Sequence, residues 1–232
     1  MSIRDPRAAH DRLSGEAGRV ADAFAASAAR RLTFNAPYRH YLLENVFPAD
    51  VADALANLPF VAPDLAGVSG RRELHNDSRS YFDAAAMARF PAMRAVAEAL
   101  QSPRIVRLIA ESFAAPIDDT FLRLEYAQDV DGFWLEPHTD IGAKLFTMLV
   151  YLSTEPGSEE WGTDILDANL NLVAVAPYKR NCGLIFVPGG DTWHGFRRRP
   201  IQGVRRSLIV NYVKPEWRSR HELAYPDHAA GA

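Results

Sequence analysis

The sequence predicts a mainly β fold with flanking α-helices, and three observations carry that prediction. From Thr120 onward the chain falls into short runs rich in β-branched and aromatic residues, separated by turn residues: FLRLEY, GFWLEP, KLFTMLVYL, TDIL, LNLVAVA, GLIFV and RSLIVNYV. Strands of this length at this density close into a sandwich or barrel. Two earlier stretches, residues 6–32 and 83–113, carry apolar side chains at helical spacing instead. Finally, 232 residues, 48% of them hydrophobic, suffice for one large core, whereas two full domains would be cramped.

In residues 6–32, Leu13, Val20, Phe24, Ala28 and Leu32 fall four or seven apart, the stripe of an amphipathic helix lying on a core. After Pro37 the run YRHYLLENVF reads as a strand, and Pro48-Ala49-Asp50 opens a short helix to about Leu58. The polar stretch GVSGRRELHNDSRSYF reads as a loop. Residues 83–113 are helical again, broken near Pro91 and Pro103, with Met87, Phe90, Met93, Val96 and Leu100 as the apolar stripe. The expected organisation is one domain over 1–232: a mostly helical support over 1–118, a β core over 119–214, and a polar tail over 215–232 expected to fray.

The 26 basic and 29 acidic residues leave a net charge of −3, so there is no electrostatic footprint for a phosphate backbone and nucleic acid is not an expected partner. The single cysteine, Cys182, excludes an intramolecular disulfide and a cysteine-based zinc or iron–sulfur site built from this chain alone. The N-terminal residues carry charges throughout, and nowhere do 18 apolar residues run together. The expectation is a cytoplasmic protein that does not enter a membrane.

The chemistry concentrates in the β-rich half. His138 and Asp140 stand two residues apart, so on a strand both point to the same face and can reach one metal. A second histidine, His194, lies 56 residues later, after GLIFVPGGDTW, where a returning strand brings it beside them. Two histidines and one carboxylate match the facial triad that leaves open positions on Fe(II). A lone His-x-Asp is a weak motif, but the run GVRRSL strengthens it: Arg205 and Ser207 share one strand face and Arg206 takes the other. A guanidinium beside a hydroxyl inside a barrel suits a carboxylate, although a surface arginine pair near Arg197-Arg198-Arg199 has the same look in isolation. Alternation back from His138 puts Glu136 and Trp134 on the pocket side, either as substrate contacts or as a packing pair at the barrel mouth. His10, His40, His221 and His228 have no ligand pattern around them and are expected at the surface or in the tail.

In order and spacing, EPHTD, LFTMLVYLS, WGTDIL, GLIFVPGGDTWH and PIQGVRRSL resemble the iron- and 2-oxoglutarate-dependent dioxygenases, in particular the prolyl-hydroxylase-like branch, over roughly residues 120–214. The resemblance implies a double-stranded β-helix (jelly-roll) core with N-terminal helices on its outer face. It implies Fe(II) held by His138, Asp140 and His194, and 2-oxoglutarate whose far carboxylate meets Arg205, Ser207 and Tyr151, with Tyr126 near the co-substrate. Gly162-Thr163-Asp164 stands where many members have Gly-Gly-Glu. The implied reaction consumes dioxygen, forms succinate and carbon dioxide, and hydroxylates a substrate, with ascorbate as a stimulant. The carboxylate of Asp140 argues against halogenation, which in the family needs a small residue there. His75, Asn76 and Arg79 stand where relatives place substrate-facing loops. The expected substrate is a small molecule or biosynthetic intermediate, with a protein side chain as the alternative. Rival readings are a non-catalytic jelly-roll sensor or sugar-binding module, and a zinc hydrolase or cupin-like isomerase. Arg205-x-Ser207 is needless in these.

Overall fold

The computed structural model describes residue 13, residues 15–64, residue 70 and residues 79–232. The first helix, α1 (Gly15–Ala29), buries Val20, Phe24 and Ala28 as the stripe requires, but it stops before Leu32. Leu32 instead begins β1 (Leu32–Phe34), which pairs antiparallel with β2 (His40–Leu43), and its side chain is 61% exposed. The helical spacing of Leu32 was a coincidence, and the hairpin around Pro37 displaced it. The strand expected from Tyr38 to Phe47 is therefore only β2, and His40, expected at the surface, is buried there, stacked on Phe34.

After α2 (Ala49–Ala56) and a two-residue strand β3 (Ser80–Tyr81), three helices follow: α3 (Ala84–Arg89), α4 (Pro91–Gln101) and α5 (Pro103–Phe113). Each proline sits in the first turn of a new helix, where its missing N–H costs nothing. Asp83 caps α3 by accepting from the Ala86 N–H, and Ser102 caps α5 by accepting from the Ile105 N–H.

The remaining strands are β4 (Phe121–Asp129), β5 (Leu135–His138), β6 (Lys144–Tyr151), β7 (Asp164–Leu166), β8 (Leu172–Val175), β9 (Gly183–Phe186), β10 (His194–Phe196) and β11 (Arg205–Val213). Among the described residues they form two antiparallel sheets, a major one in the order β1-β2-β9-β6-β11-β4-β3 and a minor one in the order β5-β10-β7-β8. The protein is mainly β with flanking helices, built around a jelly roll. Three strands of the major sheet come from before residue 118, so that region is not simply helical support. No helix among the described residues is long and apolar enough to cross a membrane.

Alternation along the central strands divides the core in two. Even-numbered residues of β11 (Leu208, Val210, Tyr212) and of β4 (Leu122, Leu124, Tyr126) pack against the helices. Odd-numbered ones face the minor sheet, where Ile209 and Ala127 meet Trp161, Tyr178 and Phe196. The tail is not frayed. The backbone N–H groups of Ala224 and Ala230 donate to Leu122 O and Thr120 O, and Leu223 is buried.

Candidate metal centre

The end of β5 carries His138 and the start of β10 carries His194, and the register of the minor sheet sets these two residues opposite each other. Their rings lie 4.3 Å apart between centroids. Gly195 makes the approach possible, since a Cβ there would stand 2.9 Å from the carbonyl oxygen of Leu135. Asp140 follows two residues after His138, and one ligand atom from each of the three side chains lies within 4.8 Å of the others.

The hydrogen bonds around this triad settle which atoms are free. Nδ1 of His138 lies 2.9 Å from the Glu136 carbonyl, and Nδ1 of His194 lies 2.9 Å from the Thr192 carbonyl. A carbonyl only accepts, so each Nδ1 carries the proton and each Nε2 keeps its lone pair for a metal. Burial pushes the His194 imidazole down to about 4, with the neighbouring His138 adding to the fall and the attraction of Asp140 not offsetting it. The ring is neutral at ordinary pH, as a ligand must be. Burial alone would raise the Asp140 carboxyl. The ammonium of Lys144, the ring of His194 and the hydroxyl of Thr147 outweigh it and hold the group well below the usual carboxylate range. Lys144 Nζ donates to Oδ1 at 2.6 Å and Thr147 Oγ1 donates to Oδ2 at 2.6 Å.

The triad opens onto a cavity of about 480 Å3. At one end stand Arg205 and Ser207, side by side on the inner face of β11, with Thr163 and Phe196. Arg205 is 2% exposed; its Nε donates to Trp161 O at 2.7 Å, and its Nη1 to Asp129 Oδ2 at 2.5 Å. Its guanidinium carbon lies 4.5 Å from the centroid of Phe196. The hydroxyl of Ser207 is buried with no hydrogen-bond partner among the described residues. A buried donor left open beside a buried cation leaves unmet the demand that a carboxylate would meet. At the other end Arg79, Arg123, Glu125, Trp217 and Glu222 wall the cavity.

No family model matches the sequence, and no curated protein matches it. Solved structures do. A prolyl 4-hydroxylase from Pseudomonas putida aligns with a TM-score of 0.53 at 15% identity, covering 84% of this chain and 94% of that one. One from Phytophthora capsici aligns at 0.55 and 15% identity, covering 88% and 67%. A prolyl hydroxylase from Trichoplax adhaerens, solved with a peptide fragment of the hypoxia inducible factor oxygen degradation domain, aligns at 0.52 and 14% identity, covering 86% and 91%. The fold is that of the prolyl hydroxylases.

Within this prolyl-hydroxylase fold the residues singled out in the sequence separate into groups. His138, Asp140, His194, Arg205 and Ser207 meet at one cavity, with Glu136 and Arg79 on its wall. Arg206 faces away and pairs with Glu155 at 2.7 Å. Tyr126 does not reach the cavity: it lies on the even face of β4, in the core under the helices, with its ring 5.5 Å from Phe60. The resemblance implied a place near the co-substrate, but the inner face of β4 carries Arg123, Glu125 and Asp129 instead. Tyr151 is on the inner face, in register with Ser207, but it does not line the cavity. Its hydroxyl meets Thr163 Oγ1 at 2.9 Å, and Thr163 is the one on the wall. Trp134 is not among the residues lining the cavity, and its ring stands close against Gly70. His75 and Asn76 lie outside the described residues.

Sequence reasoning missed the charged end. Arg123 is 3% exposed and fully engaged: Nε donates to Glu222 Oε2 at 2.5 Å, Nη1 to Asn211 Oδ1 at 3.0 Å and Nη2 to Glu125 Oε2 at 2.8 Å. The signal in β4 was available, since Arg123, Glu125 and Asp129 alternate with Leu122, Leu124 and Tyr126. No comparable pattern marks Glu222 and Trp217, which the folded tail supplies.

Proposed function

We propose that this protein is an Fe(II)- and 2-oxoglutarate-dependent oxygenase that hydroxylates a small molecule. The observation that carries the reading is the pairing, in one cavity, of three metal-competent side chains with a buried arginine beside an open serine hydroxyl. The donor set fits the metal: two neutral imidazoles and one ionised carboxylate suit Fe(II) and leave positions for other ligands. Bound there, iron would supply the oxidant, with dioxygen giving one atom to the succinate formed from 2-oxoglutarate, as carbon dioxide leaves, and one atom to the hydroxylated product.

The chain's own residues do the rest. His138 and His194 hold Nε2 lone pairs toward the metal because their own strands' carbonyls fix the tautomer. Arg205 and Ser207 bind the far carboxylate of 2-oxoglutarate. Asp129 and the Trp161 carbonyl hold the guanidinium plane still as they do so. Leu149, Phe196 and Ile209 give that wall its apolar character, which keeps water away from the reacting groups. The charged wall around Arg123 faces the substrate, and a cavity of about 480 Å3 that must also hold the oxoacid favours a compact one.

The test is succinate formation from 2-oxoglutarate under air with Fe(II) and ascorbate, against a metabolite extract scanned for a compound gaining one oxygen atom. Turnover in the wild type and its loss in His138→Ala, Asp140→Ala and His194→Ala support the proposal. Hydroxylation only of added peptides moves the substrate to a protein side chain. Metal binding without any succinate indicates the sensor or binding-module reading.

A further inference from the structure

The buried polar chain that ends on Asp140 has a direction fixed by its members. Arg123 can only donate, so the oxygen of the Asn211 side chain faces it, at 3.0 Å. The Asn211 amide nitrogen therefore faces Thr147 Oγ1, at 2.9 Å, and has no lone pair with which to accept. Thr147 must accept there, and its single proton is left for Asp140 Oδ2, at 2.6 Å. Asn211 is fully buried, and Thr147 and Arg123 are each 3% exposed, so water does not compete for these bonds. Arg123 is itself locked by Glu125 and Glu222.

We propose that Arg123, Asn211 and Thr147 form a one-way hydrogen-bond relay that occupies Oδ2 of Asp140 and so makes Oδ1 the single oxygen this residue offers to the metal. The inference rests on the metal-centre reading above and adds to it three positioning residues. Oδ1 is held too, by the Lys144 ammonium at 2.6 Å, but that side chain is 20% exposed and is a cation that a bound metal would displace, whereas Thr147 is buried and fixed from behind by Asn211. With Oδ2 held, the carboxylate cannot turn to bind through both oxygens. Binding through one oxygen keeps positions free for a bidentate oxoacid and for dioxygen, as a facial triad requires. The relay also ties the metal ligand to the charged wall, because the same arginine anchors both.

Two substitutions separate the relay from a merely well-satisfied polar cluster. Thr147→Val removes the hydroxyl at constant shape, and Thr147→Ser keeps it. Asn211→Asp keeps the shape and the bond to Arg123 but has only acceptors, so the Thr147 hydroxyl turns toward it and abandons Oδ2. Added negative charge alone would tighten cation binding, whereas the relay predicts weakening, so the two accounts differ in sign. The readout is Co(II) titrated into the purified metal-free protein, with affinity taken from chelator competition and coordination from the visible bands. Expected are a loss on the order of 10- to 100-fold for Thr147→Val, near-wild-type binding for Thr147→Ser, and weaker binding with altered bands for Asn211→Asp. Unchanged or tighter binding in Thr147→Val or in a folded Asn211→Asp overturns the relay. If far-ultraviolet circular dichroism shows Asn211→Asp unfolded, the Val and Ser pair at position 147 decides alone. If the wild type binds Co(II) no better than His138→Ala, the metal-centre reading fails instead.

Discussion

The inner face of β11 carries two polar places, one on the cavity wall and one buried behind it, that are built in opposite ways. At Arg205 and Ser207 a buried cation stands beside a hydroxyl with no partner among the described residues. At Asn211, six residues along the same strand, the side chain is spent on both sides, and the arginine behind it is spent on Glu125, Glu222 and Asn211 together. The first place is unsatisfied as it stands and gains from a ligand; the second is satisfied and gains only rigidity. Buried charge therefore does two jobs in one cavity, and hydrogen-bond accounting tells them apart where composition does not.

The contrast is sharpest in stability. Arg123→Met takes the cation from buried Glu222 and leaves Glu125 only that of Arg79, 3.5 Å away, and urea unfolding of the metal-free protein should show a loss of about 3–5 kcal/mol. A loss below about 1 kcal/mol, the range of exposed pairs, would mean that the charged end is not the closed network described.

At the open end Arg205→Ala also takes the cation from buried Asp129 and lowers stability, but the effect that marks this end falls on ligand affinity. Arg205→Ala is expected to weaken 2-oxoglutarate binding by about 2–5 kcal/mol, on the order of 30-fold to several thousandfold. Arg206→Ala, on the opposite face, should change it little. The reverse pattern would put the strand in the wrong register, and the inward position of Ser207 would go with it.

Between the two ends sits His194, and pH probes it. Its folded value, about 4, lies below the ordinary imidazole value of 6.5, so below that ordinary value the unfolded chain takes up a proton that the folded chain refuses. Metal-free protein should therefore lose stability as pH falls from about 6.5 toward 4, and His194→Gln should flatten that fall. A melting temperature independent of pH across this window in the wild type would contradict the buried, neutral ring.

The smallest effect expected is that of Ser207→Ala. Removing one hydrogen bond to a carboxylate should cost about 1–2 kcal/mol of 2-oxoglutarate affinity and leave folding stability unchanged or slightly improved, since an open buried hydroxyl disappears. Lower stability without a change in affinity would place Ser207 among the structural residues.

The two ends also differ in how far the sequence disclosed them. Strand periodicity alone put Arg205 with Ser207, because a period of two is rigid within a strand, and it put His138 with Asp140 although Asp140 lies two residues past the end of β5. Tyr126 was placed near the co-substrate by the resemblance and not by periodicity, and the charged and apolar alternation of β4 itself puts it on the other face. Periodicity failed for Leu32 because a spacing of four fits a helix stripe even when a proline-bearing hairpin takes the residue. The charged end was hidden for a different reason: Glu222 and Trp217 come from a segment with no regular period, held by backbone bonds to Leu122 and Thr120 that no local pattern announces.

The most direct test of the central claim is an anaerobic titration of 2-oxoglutarate into the Fe(II)-loaded protein, followed by the visible metal-to-ligand absorption band. A saturable band in the wild type, absent in Asp140→Ala and shifted to much higher 2-oxoglutarate concentration in Arg205→Ala, is the predicted result. A wild type that binds Fe(II) but shows no band at any 2-oxoglutarate concentration would contradict it.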